Sequence, residues 1–141
     1  MDGHWYTAEY STFYLDPPYE GFRLTVGGYS GDAGDAFNKP VEYWGIANGM
    51  KFSTQDSDND LKGNSNCASN HGAWWHNRCS FSNLNHFPTN HGYWKTDDVN
   101  GDVQASRMWI SIGKSESPYN SSLFLCSFVC SYAYMCVQDN S

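Results

Sequence analysis

The chain has 141 residues and a formal net charge of -7, which is the size of one domain and an acidic balance that disfavours nucleic acid as a partner. Aromatic residues make up 17% of it, so the chain is too rich in core-forming side chains to be disordered. No apolar run reaches the roughly 18 residues that a membrane-spanning helix needs. We therefore expect one folded, loop-rich domain without a membrane span.

The start of the chain and the number of its cysteines do not fit a complete secreted protein. Residues 1–5 lack the basic and apolar segments of a secretory signal. The five cysteines are odd in number, so at least one thiol has no partner within the chain. The simplest interpretation is a piece of a longer protein, with the pairing of the last three cysteines left open: Cys126, Cys130 and Cys136.

The N-terminal part predicts a hairpin. Residues 22–26 alternate apolar and polar side chains, and residues 6–13 form a second candidate strand, with a proline-rich turn at 16–18 between them. Residues 33–37 predict a short helical turn, and residues 38–66 have the Asn, Asp, Gly and Ser content of irregular loops.

The C-terminal part gives less definite predictions of secondary structure. Residues 108–112 predict a strand, and Asn100-Gly101 predicts a tight turn. The apolar run 123–137 fits a buried strand, a core helix or an interfacial segment, and periodicity does not distinguish them.

An acidic loop is the first candidate site. Asp56, Asp58 and Asp60 alternate along the chain, and their mutual repulsion would be relieved by a cation such as calcium, which prefers oxygen ligands. The loop is not an EF-hand, because Leu61 and Cys67 stand where that loop needs Gly and Glu. The alternative is a solvated acidic turn.

Two cysteines form the second candidate site. A bridge between Cys67 and Cys79 would close a ring of about 13 residues and stabilise the fold by about 3 kcal/mol. A zinc site with nearby histidines is disfavoured because these cysteines lack the spacing of a zinc knuckle. No sequence motif of a nucleophile, a metalloprotease or a phosphate loop is present, so we expect no enzyme.

Several segments occur in an order that resembles a known family. They are RLTVGGYSGDAGDAF at 23–37, NGMKFST at 48–54, DSDND at 56–60, NCA at 66–68, GAWW at 72–75 and SNLN at 82–85. Together they resemble the fibrinogen C-terminal domain of fibrinogens, ficolins, tachylectins, angiopoietins and tenascins. The resemblance implies an α+β fold, mainly antiparallel sheet with short helices and a loop-rich calcium-binding subdomain.

The resemblance covers the middle of that domain. The family's N-terminal subdomain is absent, and its expected ending is not recognisable beyond Phe87. We therefore expect a partial fibrinogen domain at residues 1–87 and a divergent tail at residues 88–141.

The resemblance also implies site residues. Calcium would take the carboxylates of Asp58 and Asp60 and, less directly, the backbone carbonyls of Lys62 and Asn64. A disulfide between Cys67 and Cys79 is implied beside them.

In lectin members of the family an acetyl-binding pocket lies next to the calcium. Its positions fall on Asn70 and Ser80, which replace a Tyr and a His, and His71, His76 and Phe87 could partly substitute for them. The lectins have a cis peptide before the second cysteine, which implicates Arg78. We expect ligand binding to involve Asn70, His71, Arg78, Ser80 and Phe87.

Three functions follow from the resemblance. The first is a secreted, calcium-binding recognition module that binds acetylated glycans in innate defence. The second is a fibrinogen-like module for a protein receptor or matrix partner, and the third is a degenerate fragment. A homo-oligomer would form through regions of the parent protein outside this chain.

Overall fold

The computed structural model describes residues 4–86, 92–97, 100–112 and 129–139. Within them, one antiparallel sheet of six strands is accompanied by a five-residue helix and two short 3-10 turns. The α+β class implied by the resemblance is thereby confirmed. The strands are β1 (Trp5–Leu15), β2 (Leu24–Gly31), β3 (Ser82–Asn83), β4 (Gly92–Lys95), β5 (Asn100–Ile112) and β6 (Val129–Asp139); the helix is α1 (Cys67–His71), and the 3-10 turns are Pro18–Glu20 and Tyr43–Gly45.

The last strand lies in the middle of the sheet. The order is β2-β1-β6-β5-β4-β3, so β6 pairs with β1 on one side and with β5 on the other. The described part of the apolar run 123–137, residues 129–137, is therefore a strand, one of the three structures that the sequence left open, whereas residues 123–128 lie outside the described residues. The sheet thus contains strands from both sides of the division predicted at residue 87, and that division stays a prediction.

The predicted N-terminal hairpin is confirmed. β1 and β2 are antiparallel, with Phe13 opposite Val26 and Leu15 opposite Leu24. The turn between them contains the 3-10 turn Pro18–Glu20, which ends at Gly21 in the left-handed conformation (φ 75°). Alternation places Leu24 and Val26 in the core.

The outer edge of β2 is covered by a loop. The Asn48 side chain accepts a hydrogen bond from the Val26 amide and donates one to the Val26 carbonyl, both at 3.0 Å. Next to it, Leu24 exchanges backbone hydrogen bonds with Gly49 (2.8 Å) and Met50 (2.9 Å). One amide side chain thus replaces a neighbouring strand at Val26 and protects the edge from pairing with another protein.

We expect Asn48→Ala to lower the free energy of unfolding by about 1–3 kcal/mol, because it leaves the amide and carbonyl of Val26 without their partner. Urea unfolding of the two proteins measures the difference. Ser30→Ala, on an exposed position of the same strand, is the matched control and should change stability by less than about 0.5 kcal/mol. Equal losses in the two variants would contradict the role of Asn48.

Aromatic rings from four segments meet in the core. Phe37 is fully buried, with ring centroids 5.3 Å from Tyr10, 5.3 Å from Trp94 and 6.1 Å from Trp74. The indole N–H of Trp94 lies within hydrogen-bonding distance of the Ala33 carbonyl (3.0 Å), and so satisfies its polar group in the interior. This cluster joins β1 and β4 to the loops between them.

Two turns predicted from the sequence have different outcomes. The short helical turn predicted at 33–37 is found slightly further along the chain, at residues 36–38, where the Lys39 amide donates to the Asp35 carbonyl at 2.7 Å and the Asp35 carboxylate accepts the Asn38 amide at 3.2 Å. Asn100 and Gly101 begin β5 instead of forming a tight turn, since both pair with β4. The predicted strand at 108–112 is confirmed as the end of β5.

Candidate metal and ligand site

The acidic loop is organised by its own carboxylates. Asp60 accepts the Lys62 amide on one oxygen and the Cys67 amide on the other, both at 2.7 Å. Asp58 accepts the Asp60 amide at 3.2 Å. The two carboxylates are therefore held against the same stretch of backbone, and Asp60 connects that stretch to the first residue of α1.

Neighbouring segments fix the loop from outside. The Asn59 amide donates to the Ser53 hydroxyl at 3.1 Å, and its side chain donates to the Phe52 carbonyl at 2.8 Å. The Leu61 amide donates to the Asn77 carbonyl at 2.7 Å. The loop is thus attached at both sides of Asp60, which restricts the positions of its oxygens.

The short helix α1 is held by a cap and a disulfide. Asn66 is the N-cap, since its side-chain oxygen accepts the Ser69 amide at 3.1 Å. Cys67 and Cys79 form a disulfide with their Cα atoms 5.3 Å apart, as the resemblance implied. The bond joins the start of α1 to the segment that enters β3.

The donor chemistry of the loop fits calcium. Each carboxylate oxygen has two lone pairs, so the hydrogen bonds at Asp58 and Asp60 leave acceptor capacity for a cation. Carbonyl oxygens such as those of Lys62 and Asn64 are ligands of the same hard type. In the described part of the chain, no three His, Cys, Asp or Glu side chains lie together as a metal cluster, so backbone oxygens would have to complete the set.

A zinc site that uses His76 is disfavoured by the surroundings of that residue. His76 is buried, with Nε2 donating to the Gly72 carbonyl at 2.9 Å and Nδ1 lying 3.1 Å from the Ser80 hydroxyl. Nε2 therefore carries the proton of the neutral ring, and the acceptor Nδ1 faces Ser80 in the interior rather than a metal. Ser80 is buried as well, and its single hydroxyl proton can go either to Nδ1 of His76 or to the Ser82 carbonyl at 2.8 Å.

A second cluster lies beside the disulfide. The ring of His71 is 5.7 Å from that of His86 and 6.5 Å from that of Tyr93, and His86 and Tyr93 are 5.3 Å apart. Burial raises the pKa of Tyr93, and hydrogen bonds with Ser80 and Asn83 oppose that rise. This His71–His86–Tyr93 cluster is a partly buried surface of aromatic and imidazole rings.

The structure does not bring the ligand-binding residues implied by the resemblance together into one pocket. His71 joins the cluster just described, but Asn70 is exposed on α1 and Arg78 is exposed beside the disulfide. Ser80 supports His76 from the interior, so it is unsuited to form a pocket wall. Phe87 lies outside the described residues. Sequence reasoning missed Tyr93, which no motif marks and which only the pairing of β3 with β4 brings close.

Low pH should weaken the fold through two histidines. Burial lowers the pKa of both His71 and His76, and the nearby His86 and Lys62 add to the effect at His71. An imidazole with a lowered pKa in the folded protein takes up its proton first in the unfolded state. Stability is therefore fully present above the ordinary histidine pKa of about 6.5 and is lost as the pH falls below it.

We expect the free energy of unfolding, measured in urea with EDTA present, to decrease from pH 6.5 to pH 5 and to decrease less in His71→Asn. The lowered pKa values of Asp32 and Asp56 act only at lower pH, near and below the ordinary aspartate value, so they do not contribute in this window. If the free energy of unfolding of the unaltered protein stays constant between pH 6.5 and pH 5, the role assigned to the two histidines is contradicted.

The described part of the chain contains no candidate for a membrane-spanning helix. Among those residues, no helix combines the length and the apolar character that crossing a bilayer requires.

Comparisons with known proteins identify the family. The sequence profile of the family described as fibrinogen beta and gamma chains, C-terminal globular domain, matches residues 1–117, which extends beyond residue 87. Fibrinogen C domain-containing protein 1-A of Xenopus laevis is 47% identical over 74 residues, covering 52% of this chain and 14% of that protein. Fibrinogen-like protein 1 of Rattus norvegicus is 42% identical over 83 residues, covering 55% of this chain and 26% of that protein.

A solved structure agrees with this at the level of the fold. Lamprey fibrin D-dimer, complexed with the peptide Gly-His-Arg-Pro-amide, superposes with a TM-score of 0.52 at 23% identity, covering 96% of this chain and 45% of that one. The chain spans between 14% and 26% of the two curated relatives named above. It belongs to the family of the C-terminal globular domain of fibrinogen beta and gamma chains.

Proposed function

We propose that this protein is the recognition part of an extracellular fibrinogen-related protein, that its acidic loop binds calcium, and that it binds acetylated glycans rather than catalysing a reaction. The observation that carries the proposal is the Asp60 carboxylate, which accepts the amides of Lys62 and Cys67. These bonds connect the acidic loop to α1, the helix that carries His71.

Asp58, Asp60 and the carbonyls of Lys62 and Asn64 are the residues that would hold the ion. A bound divalent cation would neutralise the negative charge of the loop. The protein's own contribution is rigidity, since Asn59 and the disulfide already restrict the loop. A cation that binds only the folded form then stabilises the fold by mass action.

The His71–His86–Tyr93 cluster is the surface we assign to the ligand. Its rings offer an aromatic contact for the methyl of an acetyl group, and the partly buried imidazoles can exchange hydrogen bonds with its carbonyl and amide. Because His71 lies on α1, at the end of the helix opposite the Asp60 contact, ordering of the acidic loop would also order one side of this surface.

Affinity chromatography tests the proposal. We expect the protein to bind N-acetylglucosamine-agarose in calcium and to elute with EDTA, whereas glucose-agarose, which lacks the acetamido group, should retain it far less. His71→Ala should abolish retention without lowering the calcium-dependent rise in melting temperature. Equal retention on the two resins, or retention that EDTA does not affect, would contradict the glycan assignment.

A protein ligand is a second candidate, favoured by the exposed apolar side chains of β5. Met108, Trp109 and Ile110 are 37%, 50% and 42% exposed. Met108 and Ile110 lie on the same face of the strand, and contiguous exposed apolar side chains are typical of protein interfaces. The same chromatography separates the two candidates. A folded protein with a cooperative melt that ignores both resins would favour the protein ligand, and an uncooperative melt would indicate a degenerate fragment.

A further inference from the structure

One long edge of β5 has no neighbouring strand in the described part of the fold. β5 pairs with β6 over most of its length, but on its other side it pairs with β4 only as far as Val103, which lies opposite Gly92. Residues 106–111 continue the strand, and every one of them is exposed. Backbone N–H and C=O groups along such an edge are a template for an added strand.

The two sides of the sheet differ in how their edges are protected. On β2, Asn48 occupies both backbone groups of Val26. On β5, residues 105–111 contain no proline and no acidic residue, and Arg107 is their only charge. Register shifts lie only at the two ends of this stretch. Prolines, bulges and charges are what normally protect an edge, and within this stretch there is one charge alone.

The same stretch is complementary to itself. Met108 is the middle of residues 105–111, so two copies related by a two-fold axis at Met108 can pair antiparallel along the whole stretch. Arg107 of each copy then lies opposite Trp109 of the other, and no two charges lie directly opposite each other. An arginine beside an indole is a favourable cross-strand pair. Arg107 already lies over one indole, since its guanidinium carbon is 5.3 Å from the ring centroid of Trp5.

The other face of the stretch is mainly apolar. Side chains at alternate positions of a strand share a face, which here carries Ser106, Met108 and Ile110. Ser106 and Met108 line an apolar cavity of about 560 Å³. In the two-fold register, Ile110 of the second copy lies opposite Ser106, and the two Met108 residues meet at the axis. Met108 and Ile110 are 37% and 42% exposed, so pairing removes apolar surface from water.

We propose that residues 105–111 of β5 form a homodimer interface, in which a second copy of this chain adds its own β5 edge antiparallel about a two-fold axis at Met108. The second copy is favoured over an unrelated strand because the stretch supplies complementary partners for itself. It also brings no acidic residues of the stretch together, although the whole chain has a net charge of -7. A two-fold contact uses each edge once, so association stops at the dimer.

The interface is separate from the sites proposed above. It contains none of the residues assigned to calcium or to a glycan, so dimerisation should be the same in calcium and in EDTA. It assigns the exposed side chains of β5 to a second copy instead of a foreign protein ligand. Pairing of so short a stretch buries less than the roughly 1,200 Å² of a stable complex, so we expect a weak dimer with a dissociation constant on the order of 0.1 mM.

Sedimentation equilibrium of the full chain tests the proposal. Between about 5 µM and about 500 µM, the weight-average mass should rise from 15.9 kDa toward twice that value and no further, because the dimer forms by mass action. Non-reducing electrophoresis of the same samples should show monomer, which excludes dimers linked through cysteine.

Charges at the axis test the register. Met108→Lys and Met108→Glu each place two like charges opposite each other and should weaken dimerisation about tenfold or more. An equimolar mixture of the two variants should dimerise again, because the opposed charges then differ in sign, and this recovery also shows that both variants are folded. Tyr19→Lys is the matched control, since it replaces an exposed aromatic side chain outside β5, and it should leave dimerisation unchanged.

Any of four results would overturn the proposal. Unaltered protein that stays monomeric at the highest concentration, a result that needs no variant, would leave the edge to a strand of another protein. Growth beyond the dimer is incompatible with a two-fold contact. A dimer that Met108→Lys leaves unchanged lies elsewhere on the molecule. Variants that remain monomeric when mixed exclude a two-fold axis at Met108.

Discussion

Replacing Cys67 and Cys79 together with alanine should lower the free energy of unfolding by about 3 kcal/mol. The bond closes a loop with a sequence separation of 12, and its removal lets the unfolded state sample many more conformations. Both residues are buried, so alanine avoids placing a hydroxyl in the interior. Urea unfolding at neutral pH with EDTA present measures the change.

Reductant provides the matched control for this prediction. The unaltered protein in dithiothreitol should lose as much stability as the double variant does, and the double variant should lose nothing more when reductant is added. A double variant as stable as the unaltered protein would show that α1 and the acidic loop are held without the bond. Further loss in reductant would reveal another disulfide.

The disulfide also affects the candidate calcium site. Cys67 donates its amide to Asp60 at 2.7 Å, so the bond fixes one of the two groups that orient that carboxylate. We expect the double alanine variant to retain the acidic loop but to bind calcium more weakly, because more of the loop must be ordered when the ion binds.

The sequence predicted the fold best where one local pattern decides the outcome. The β1–β2 hairpin follows from alternation in residues 22–26 and from the prolines of the turn, and it was correct. The run 123–137 did not identify its own structure, because periodicity does not distinguish a buried strand from a buried helix in a short apolar run. The pairing of residues 129–137 with β1, more than a hundred residues away, depends on the tertiary fold.

The site was predictable only in part for the same reason. Cys67 and Cys79 were marked by their place among the family segments, and they pair. Asn59 holds the acidic loop through Ser53 and Phe52, but one asparagine in a loop full of polar residues carries no distinguishing pattern. Ser80 occupies a pocket position of the family in sequence, yet its burial beside His76 follows only from packing.

Asp58→Ala and Asp60→Ala should each abolish the rise in melting temperature that calcium produces, but they should differ without calcium. At a calcium concentration about 100 times its dissociation constant, an ion that binds only the folded form adds about 2.7 kcal/mol of stability. In EDTA, Asp60→Ala should still cost about 1.5–3 kcal/mol, because the amides of Lys62 and Cys67 lose a charged acceptor. Asp58→Ala should cost less, since Asp58 accepts only the Asp60 amide among the described groups, at 3.2 Å.

Differential scanning calorimetry of the unaltered protein and the variants, each in calcium and in EDTA, measures both effects. Asp56→Ala is the matched control: it removes an exposed carboxylate of the same loop that bonds to the Thr54 hydroxyl and is not among the proposed ligands. It should keep the calcium-dependent rise. Identical melting curves of the unaltered protein in calcium and EDTA would refute the calcium site. If calcium still raises the melting temperature of Asp58→Ala, Asp58 is not a ligand of the ion. Because Asp60 has a structural role as well as a proposed ligand role, only the difference between the two conditions reports the ion.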